Sequence, residues 1–356
     1  MLDEQNERKK IITREGTGNT MRASYQAMNP FMTTAEADRM LRIAEERGVF
    51  RTYAEEALND GIGESLPQRF DAAFNYIQHG IDGLGNSDDV TTAAQRTNYF
   101  RETYAYGTDI QAPGVEPFFT HPDLLRVASE VTGRALIVPA IVYANILTPG
   151  QELAIHTDVP EFRGADRKRM PQWLLVTMLH SGLFDDYRIP IATCVSWFGA
   201  NPGGAFAYYP EGAEGVRESM AATHNTAILI DTDQVFHGVE RVTPKAFFPE
   251  IDKGATLTFE GDNQWSLANP NGEEVAHYTW ADLRYSISWK AYCFKDEVEQ
   301  EKWATKSDDL TLEQILQTLE SELRDRGVLS GARPEPTAFA QLLVDTFIRF
   351  PMRKAA

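Results

Sequence analysis

The chain has 356 residues, 42% of them apolar and 11% aromatic, which is the composition of an ordinary globular protein with enough length for a sizeable core. Its formal net charge of −18 argues against gripping a nucleic-acid backbone or an anionic membrane face, both of which need clustered Lys and Arg. Two cysteines, Cys194 and Cys293, make no disulfide framework and read as buried thiols. No run approaches the ~20 apolar residues of a membrane helix, since the best, Ala135 to Leu147, is broken by Pro139, Tyr143 and Asn145. MLDEQNERKK at the start lacks an apolar secretory core. The expectation is a cytoplasmic protein whose partner is a small molecule.

Residues 1 to about 30 are polar and unpatterned and read as an N-terminal arm. Thr33 and Glu36 have capping-box spacing ahead of an apolar stripe of Met40, Leu41 and Ala44, and Gly48 ends that helix. The stretch 83–98 is loop-like. A second helix opens at Thr120-His121-Pro122-Asp123 and stops at Gly133. From residue 135 to 294 the pattern changes to short Val-, Ile- and aromatic-rich runs between turn residues. Strands are expected near 136–147, 152–158, 173–180, 191–198, 204–209, 226–231, 235–242 and 284–294. The segment 243–283 interrupts them as an insertion that reads as a hairpin or meander. Many strands without intervening helices predict a mainly β, antiparallel jelly roll with flanking N- and C-terminal α-helices. Beyond it, 297–356 reads as a helical extension. Thr311 and Gln314 cap a helix with Ile315, Leu316, Leu319 and Leu323 on one face. A last helix carries Phe339, Leu342, Leu343, Thr346, Phe347 and Phe350. Those stripes are available to cover the sheet or to meet a second copy as a homodimer.

Seven histidines are present, at 79, 121, 156, 180, 224, 237 and 277, and their contexts differ. In Ala154-Ile155-His156-Thr157-Asp158, alternate residues of a strand share one face, so His156 and Asp158 project together. His121-Pro122-Asp123 has the same spacing but opens a helix, where i and i+2 diverge. His237, in Phe236-His237-Gly238-Val239, is the candidate third ligand, 81 residues after His156. Two imidazoles and one carboxylate on one face of an octahedral ion suit Fe(II) and oxygen chemistry. The run Arg284 to Phe294 alternates, with Arg284, Ser286, Ser288 and Lys290 on one face and Tyr285, Ile287, Trp289, Ala291 and Cys293 on the other. Inside a barrel, an unpaired Arg284 would call for a bound carboxylate, with Ser286 as a second donor.

The order H-x-D, then Gly203-Gly204-Ala205-Phe206, then H-G-V, then R-x-S resembles the iron(II)- and 2-oxoglutarate-dependent dioxygenase superfamily over roughly 135–294. That resemblance implies a double-stranded β-helix core within a domain spanning 31–296. It implies Fe(II), 2-oxoglutarate and O₂ as cofactor and cosubstrates. It also implies iron ligands at His156, Asp158 and His237, and a clamp for the distal 2-oxoglutarate carboxylate at Arg284 and Ser286. Tyr143 and Asn145 share a face of the strand preceding H-x-D and are candidate cosubstrate contacts. Arg284 follows His237 by 47 residues, a longer gap than the family's usual one. The insertion 243–283 accounts for the excess, with Arg241 as the fallback. Halogenating relatives have Gly or Ala where Asp158 stands, which disfavours halogenation.

The implied reaction is hydroxylation of an unactivated C–H bond, coupled to decarboxylation of 2-oxoglutarate to succinate. Four cations, Arg163, Arg167, Lys168 and Arg169, lie within seven residues of an otherwise acidic chain. They read first as a solvated loop; the functional alternative is a mobile lid attracting a carboxylate-bearing substrate, with Phe162 and Trp173 adding apolar contact. The insertion 243–283 is expected to close over the substrate as well. The alternative reading is a cupin-like jelly roll that isomerises or binds a small molecule without 2-oxoglutarate.

Overall fold

A computed structural model describes residues 24–53 and 90–348. Residues 1–23, His79, residues 83–89 and Phe350 lie outside the described residues. The strands are β1 (Tyr25–Met28), β2 (Val49–Thr52), β3 (Phe100–Tyr106), β4 (Asp109–Ile110), β5 (Leu136–Leu147), β6 (Leu153–His156), β7 (Glu161–Phe162), β8 (Arg188–Ile189), β9 (Ile191–Phe198), β10 (Phe206–Tyr209), β11 (Glu218–Met220), β12 (Thr226–Ile230), β13 (Phe236–Val239), β14 (Thr256–Gly261), β15 (Gln264–Ala268), β16 (Glu274–Tyr278) and β17 (Arg284–Phe294). The helices are α1 (Thr34–Arg47), α2 (Val90–Thr97), α3 (Glu116–Phe119), α4 (Pro122–Thr132), α5 (Gln172–Ser181), α6 (Glu297–Thr305), α7 (Leu312–Asp325) and α8 (Pro336–Phe347). No described helix is long and apolar enough to cross a membrane.

Two antiparallel sheets make the jelly roll. The larger runs β1-β12-β9-β17-β5-β3-β2-β14-β15-β16, with β4 on β3; the smaller runs β11-β10-β13-β6. The long strands β5, β9 and β17 form its spine, with β17 paired along its whole length to β5. Their alternation gives each face a separate job. Tyr285, Ile287, Trp289, Ala291 and Cys293 turn outward into a core shared with Met40, Ile43 and Ala44 of α1 and Leu124, Val127 and Ala128 of α4. Burying side chains of this size contributes roughly 1.5–3 kcal/mol each. The opposite face of β17 looks toward the small sheet. Both expected capping boxes form, at Thr33/Glu36 and Thr311/Gln314, satisfying otherwise orphaned helix N–H groups.

Several segments depart from the sequence reading. The expected polar arm ends in β1, an edge strand registered Tyr25↔Ile230 to Met28↔Ala227. Residues 90–97 of the expected loop are helix α2. The expected strand 173–180 is helix α5, which starts after Pro171 and ends at left-handed Gly182. Its Leu174, Leu175, Val176, Thr177 and Met178 are all buried. A helix buried all round has no polar face, so its sequence is an unbroken apolar run that resembles a core strand.

The insertion is a meander, β14-β15-β16, but it extends the large sheet through β2 rather than covering a site. Leu257, Trp265 and Leu267 are fully buried in the main core. The stripes of α7 and α8 neither cover the large sheet nor remain open for a second copy. Ile315, Leu319, Leu323, Phe339, Leu343 and Phe347 pack on Leu174, Leu175 and Met178 of α5 and on Phe162.

Candidate metal and cosubstrate site

A cavity of about 860 Å³ lies between the two sheets, walled by β5, β9 and β17 on one side and β6, β10 and β13 on the other. His156 and His237 are register partners on neighbouring strands of the small sheet, and their ring centroids lie 4.4 Å apart. Asp158 follows two residues beyond the end of β6, held by its backbone N–H to the Thr232 carbonyl at 2.8 Å. One ligand atom from each of His156, Asp158 and His237 falls within 4.8 Å of the others.

Tautomer geometry favours this assembly. His156 Nδ1 lies 2.6 Å from the Ala154 carbonyl and His237 Nδ1 lies 2.9 Å from the Val235 carbonyl. A carbonyl only accepts, so both Nδ1 atoms carry the proton, and in a neutral ring Nε2 is then the ligating nitrogen. Asp158 divides its oxygens. Oδ2 takes hydrogen bonds from Thr232 Oγ1 at 2.5 Å and Lys290 Nζ at 2.6 Å, while Oδ1 lies 3.9 Å from His156 Nε2. Two neutral imidazoles and one carboxylate fit a divalent borderline metal such as Fe(II).

Deeper on the β17 wall, Arg284 is 1% exposed. Its Nε donates to the Gly204 carbonyl at 2.6 Å and Nη1 to Ser286 Oγ at 3.2 Å, but Nη2 is buried with no hydrogen-bond partner among the described residues. Burial pulls the guanidinium pKa down to about 9, partly offset by Tyr99, so the group is still a cation at neutral pH. An orphaned buried guanidinium nitrogen is costly, and a carboxylate reaching it from the cavity would remove that cost. Gly204 makes the approach possible: a Cβ there would sit 2.5 Å from Arg284 Cδ.

Arg241, the fallback, is engaged elsewhere. It forks onto the buried Glu152, with Nε–Oε2 at 2.7 Å and Nη2–Oε1 at 3.1 Å, and does not line the cavity. Tyr143 and Asn145 both line it. Asn145 Oδ1 accepts from Arg101 Nε at 2.7 Å, its Nδ2 donates to Ser288 Oγ at 3.3 Å, and the Tyr143 ring lies under the Arg101 guanidinium at 4.6 Å.

The cationic segment after Asp158 is tied down rather than presented as a lid. Glu161 and Phe162 pair with β8, and the Arg163 carbonyl accepts from the Leu310 N–H at 3.0 Å. Arg163 bonds Asp308 at 2.8 Å, and Arg169 bonds Asp166 at 2.8 Å and Asp309 at 3.1 Å. Arg167 lines the cavity with no acidic partner among the described residues. Phe162 reaches both the cavity and the α5–α7–α8 core, whereas Trp173 packs only in that core and is not on the wall. His121-Pro122-Asp123 opens α4 as expected, and His121 Nδ1 caps it by accepting from the Asp123 N–H at 3.2 Å. Sequence reasoning missed the Lys290–Asp158 contact and the whole contribution of β3. The alternation of Phe100-Arg101-Glu102-Thr103-Tyr104 marks a strand, but nothing local shows that Arg101 pairs with Asn145.

No family model matches the chain, and no curated protein matches it. Its structure is similar to those of a 2OG-Fe(II) oxygenase family oxidoreductase from Burkholderia pseudomallei (9% identity over 76% of this chain and 87% of the other, TM-score 0.39). It is also similar to a prolyl hydroxylase from Trichoplax adhaerens in complex with a hypoxia-inducible-factor peptide (11%, 79% and 86%, 0.40). A third is HygX from Streptomyces hygroscopicus, which was solved with nickel, 2-oxoglutarate and hygromycin B (10%, 76% and 82%, 0.35).

Proposed function

We propose that the protein is a non-haem Fe(II) oxygenase that consumes 2-oxoglutarate and O₂ and hydroxylates a C–H bond of a small molecule. The observation that carries this reading is one cavity holding both halves of the machinery. A His156/Asp158/His237 cluster with both rings protonated at Nδ1 shares it with a buried guanidinium nitrogen that no group among the described residues satisfies.

Fe(II) bound there would supply two-electron oxidation: one O₂ converts 2-oxoglutarate to succinate and CO₂ and places its other oxygen atom in the substrate C–H bond. The protein's own task is positioning. The Ala154 and Val235 carbonyls fix the imidazole planes, and Thr232 and Lys290 hold one Asp158 oxygen so that the other faces the cluster. Arg284 Nη2 and Ser286 Oγ receive the distal carboxylate of 2-oxoglutarate, and Asn145 and Tyr143 border it from β5. Phe206, Val195, Val239 and Leu153 wall the space around the cluster with apolar surface, which limits water and makes each charge contact stronger. The cavity is lined by eight Lys or Arg and four Asp or Glu, in a chain whose net charge is −18. That local reversal favours an anionic substrate.

The test is spectroscopic. Anaerobic protein given Fe(II) and then 2-oxoglutarate should develop a visible metal-to-ligand charge-transfer band. Iron binding without that band would overturn the proposal in favour of a cupin-like metalloprotein that does not use 2-oxoglutarate.

A further inference from the structure

One cation on the cavity wall, Arg101, has no part in the machinery above. Arg101 projects from β3, in register with Asn145 of β5. Three tyrosine rings surround its guanidinium carbon, Tyr53 at 4.5 Å, Tyr143 at 4.6 Å and Tyr99 at 5.2 Å, with Tyr53 and Tyr99 stacked at an interplanar angle of 1°. Nε is spent on Asn145 Oδ1 at 2.7 Å and Nη2 on the Tyr99 hydroxyl at 2.5 Å. Among the described residues, no acceptor meets its other N–H groups and no carboxylate pairs with it. The adjacent acid, Glu102, already accepts from Arg47 and from Arg51. Other cavity arginines, Arg163 and Arg169, do have acidic partners.

Aromatic faces hold a guanidinium in place without neutralising it. An arginine so fixed, with its Nη1 end open to a cavity, is preorganised for a planar two-oxygen anion. We propose that Arg101, in its tyrosine cage, is the anchor for a carboxylate on the substrate, distinct from the Arg284 clamp for the cosubstrate. This inference rests on the oxygenase reading for the word substrate, but the anion site stands on its own geometry. The substrate class is therefore a small monocarboxylate whose apolar part lies along the wall of Val195, Phe206 and Val239.

Calorimetry with the full-length protein tests this. Mn(II) replaces Fe(II) so that nothing turns over, 2-oxoglutarate is saturating, and the probes are a panel of aliphatic and aryl monocarboxylates, each with its primary amide. At least one acid should bind wild type about 10- to 100-fold more tightly than its amide, the value of one charged hydrogen-bonded contact. Arg101→Gln should erase that preference, and Arg101→Lys should restore part of it. Both variants should keep the wild-type thermal midpoint within a few degrees and bind 2-oxoglutarate within about twofold of wild type. The proposal is overturned if no acid of the panel outbinds its amide, or if Arg101→Gln keeps the preference. It is also overturned if Arg101→Gln weakens 2-oxoglutarate as Arg284→Gln does, since Arg101 would then serve the cosubstrate. If wild type binds no 2-oxoglutarate, the oxygenase reading fails instead, and the acid–amide comparison is still read on the metal-free protein.

Discussion

The two faces of β17 are both buried, yet one is closed and the other is not. On the outer face, Tyr285, Ile287, Trp289, Ala291 and Cys293 have no exposure and belong to one packed core with side chains of the sheet, α1, α3 and α4. On the inner face, Arg284 and Ser286 are almost as inaccessible, at 1% and 3%, but they border open volume, and Arg284 Nη2 has no hydrogen-bond partner among the described residues. Burial therefore does not separate structure from function here. What separates them is whether a buried group's bonding capacity is used up inside the chain. The same contrast holds between Arg284 and Arg241: Arg241 has a fork-on-fork carboxylate, and Arg284 has no carboxylate partner among the described residues.

The largest expected effect is on the small-sheet side of the cavity. His156→Ala, Asp158→Ala and His237→Ala should each abolish succinate release. The two histidine variants should keep the fold with only a small change in thermal midpoint, whereas Asp158→Ala should also lower it, because Lys290 and Thr232 lose their acceptor. Near-normal succinate from any one of them would remove that residue from the ligand set. Next comes the inner face of β17. Arg284→Ala should raise the KM for 2-oxoglutarate by roughly 30-fold to several thousand-fold, the range for losing one charged partner of a buried pair. Stability should change little, because the residue removed is a buried cation with no carboxylate partner among the described residues. Arg241→Ala should do the reverse. It should leave that KM alone and cost about 1–3 kcal/mol in urea unfolding, because Glu152 loses its two charged hydrogen bonds. An exchange of these two phenotypes would reassign the clamp.

On the outer face, Trp289→Ala should cost about 3–5 kcal/mol of stability by opening a cavity. It also frees the Phe119 carbonyl, which accepts from the indole Nε1 at 2.8 Å. The protein that remains folded should bind metal and 2-oxoglutarate normally. A variant that is stable but catalytically dead would mean that the two faces are not independent.

How much of this was legible in the sequence follows the same division. Strands with a strict alternation, 136–147, 191–198 and 284–294, have the bounds that the pattern predicts. The H-x-D, H-G-V and R-x-S residues meet because each sits on a strand or just beyond its end, although β6 and β13 are shorter than the expected 152–158 and 235–242. Helix α5 was illegible because it is buried on all sides, and a periodicity argument needs one wet face. The 161–169 cations read as a solvated lid because their partners, Asp308 and Asp309, are more than a hundred residues away. Arg101 was illegible for a related reason. Its meaning comes from Tyr53, Tyr143 and Asn145 on other segments, and long-range register has no local signature.

The smallest effect is also the most specific to the contrast between filled and open faces. Gly204 has φ +68, a conformation strained for any residue with a Cβ, and a Cβ there would lie 2.5 Å from Arg284 Cδ and 2.8 Å from Val242 Cγ2. Gly204→Ala should therefore cost about 1 kcal/mol from the backbone alone. It should also push the guanidinium stem away from the Gly204 carbonyl that orients Nε. A displaced but still present cation loses geometry rather than charge, so the KM for 2-oxoglutarate should rise by about tenfold, well short of Arg284→Ala. The double variant Gly204→Ala/Arg284→Ala should be no worse for 2-oxoglutarate than Arg284→Ala alone, since contacting sites that act through one group are not additive. Additive losses would mean that the Gly-Gly turn shapes the cavity by a route that does not pass through Arg284.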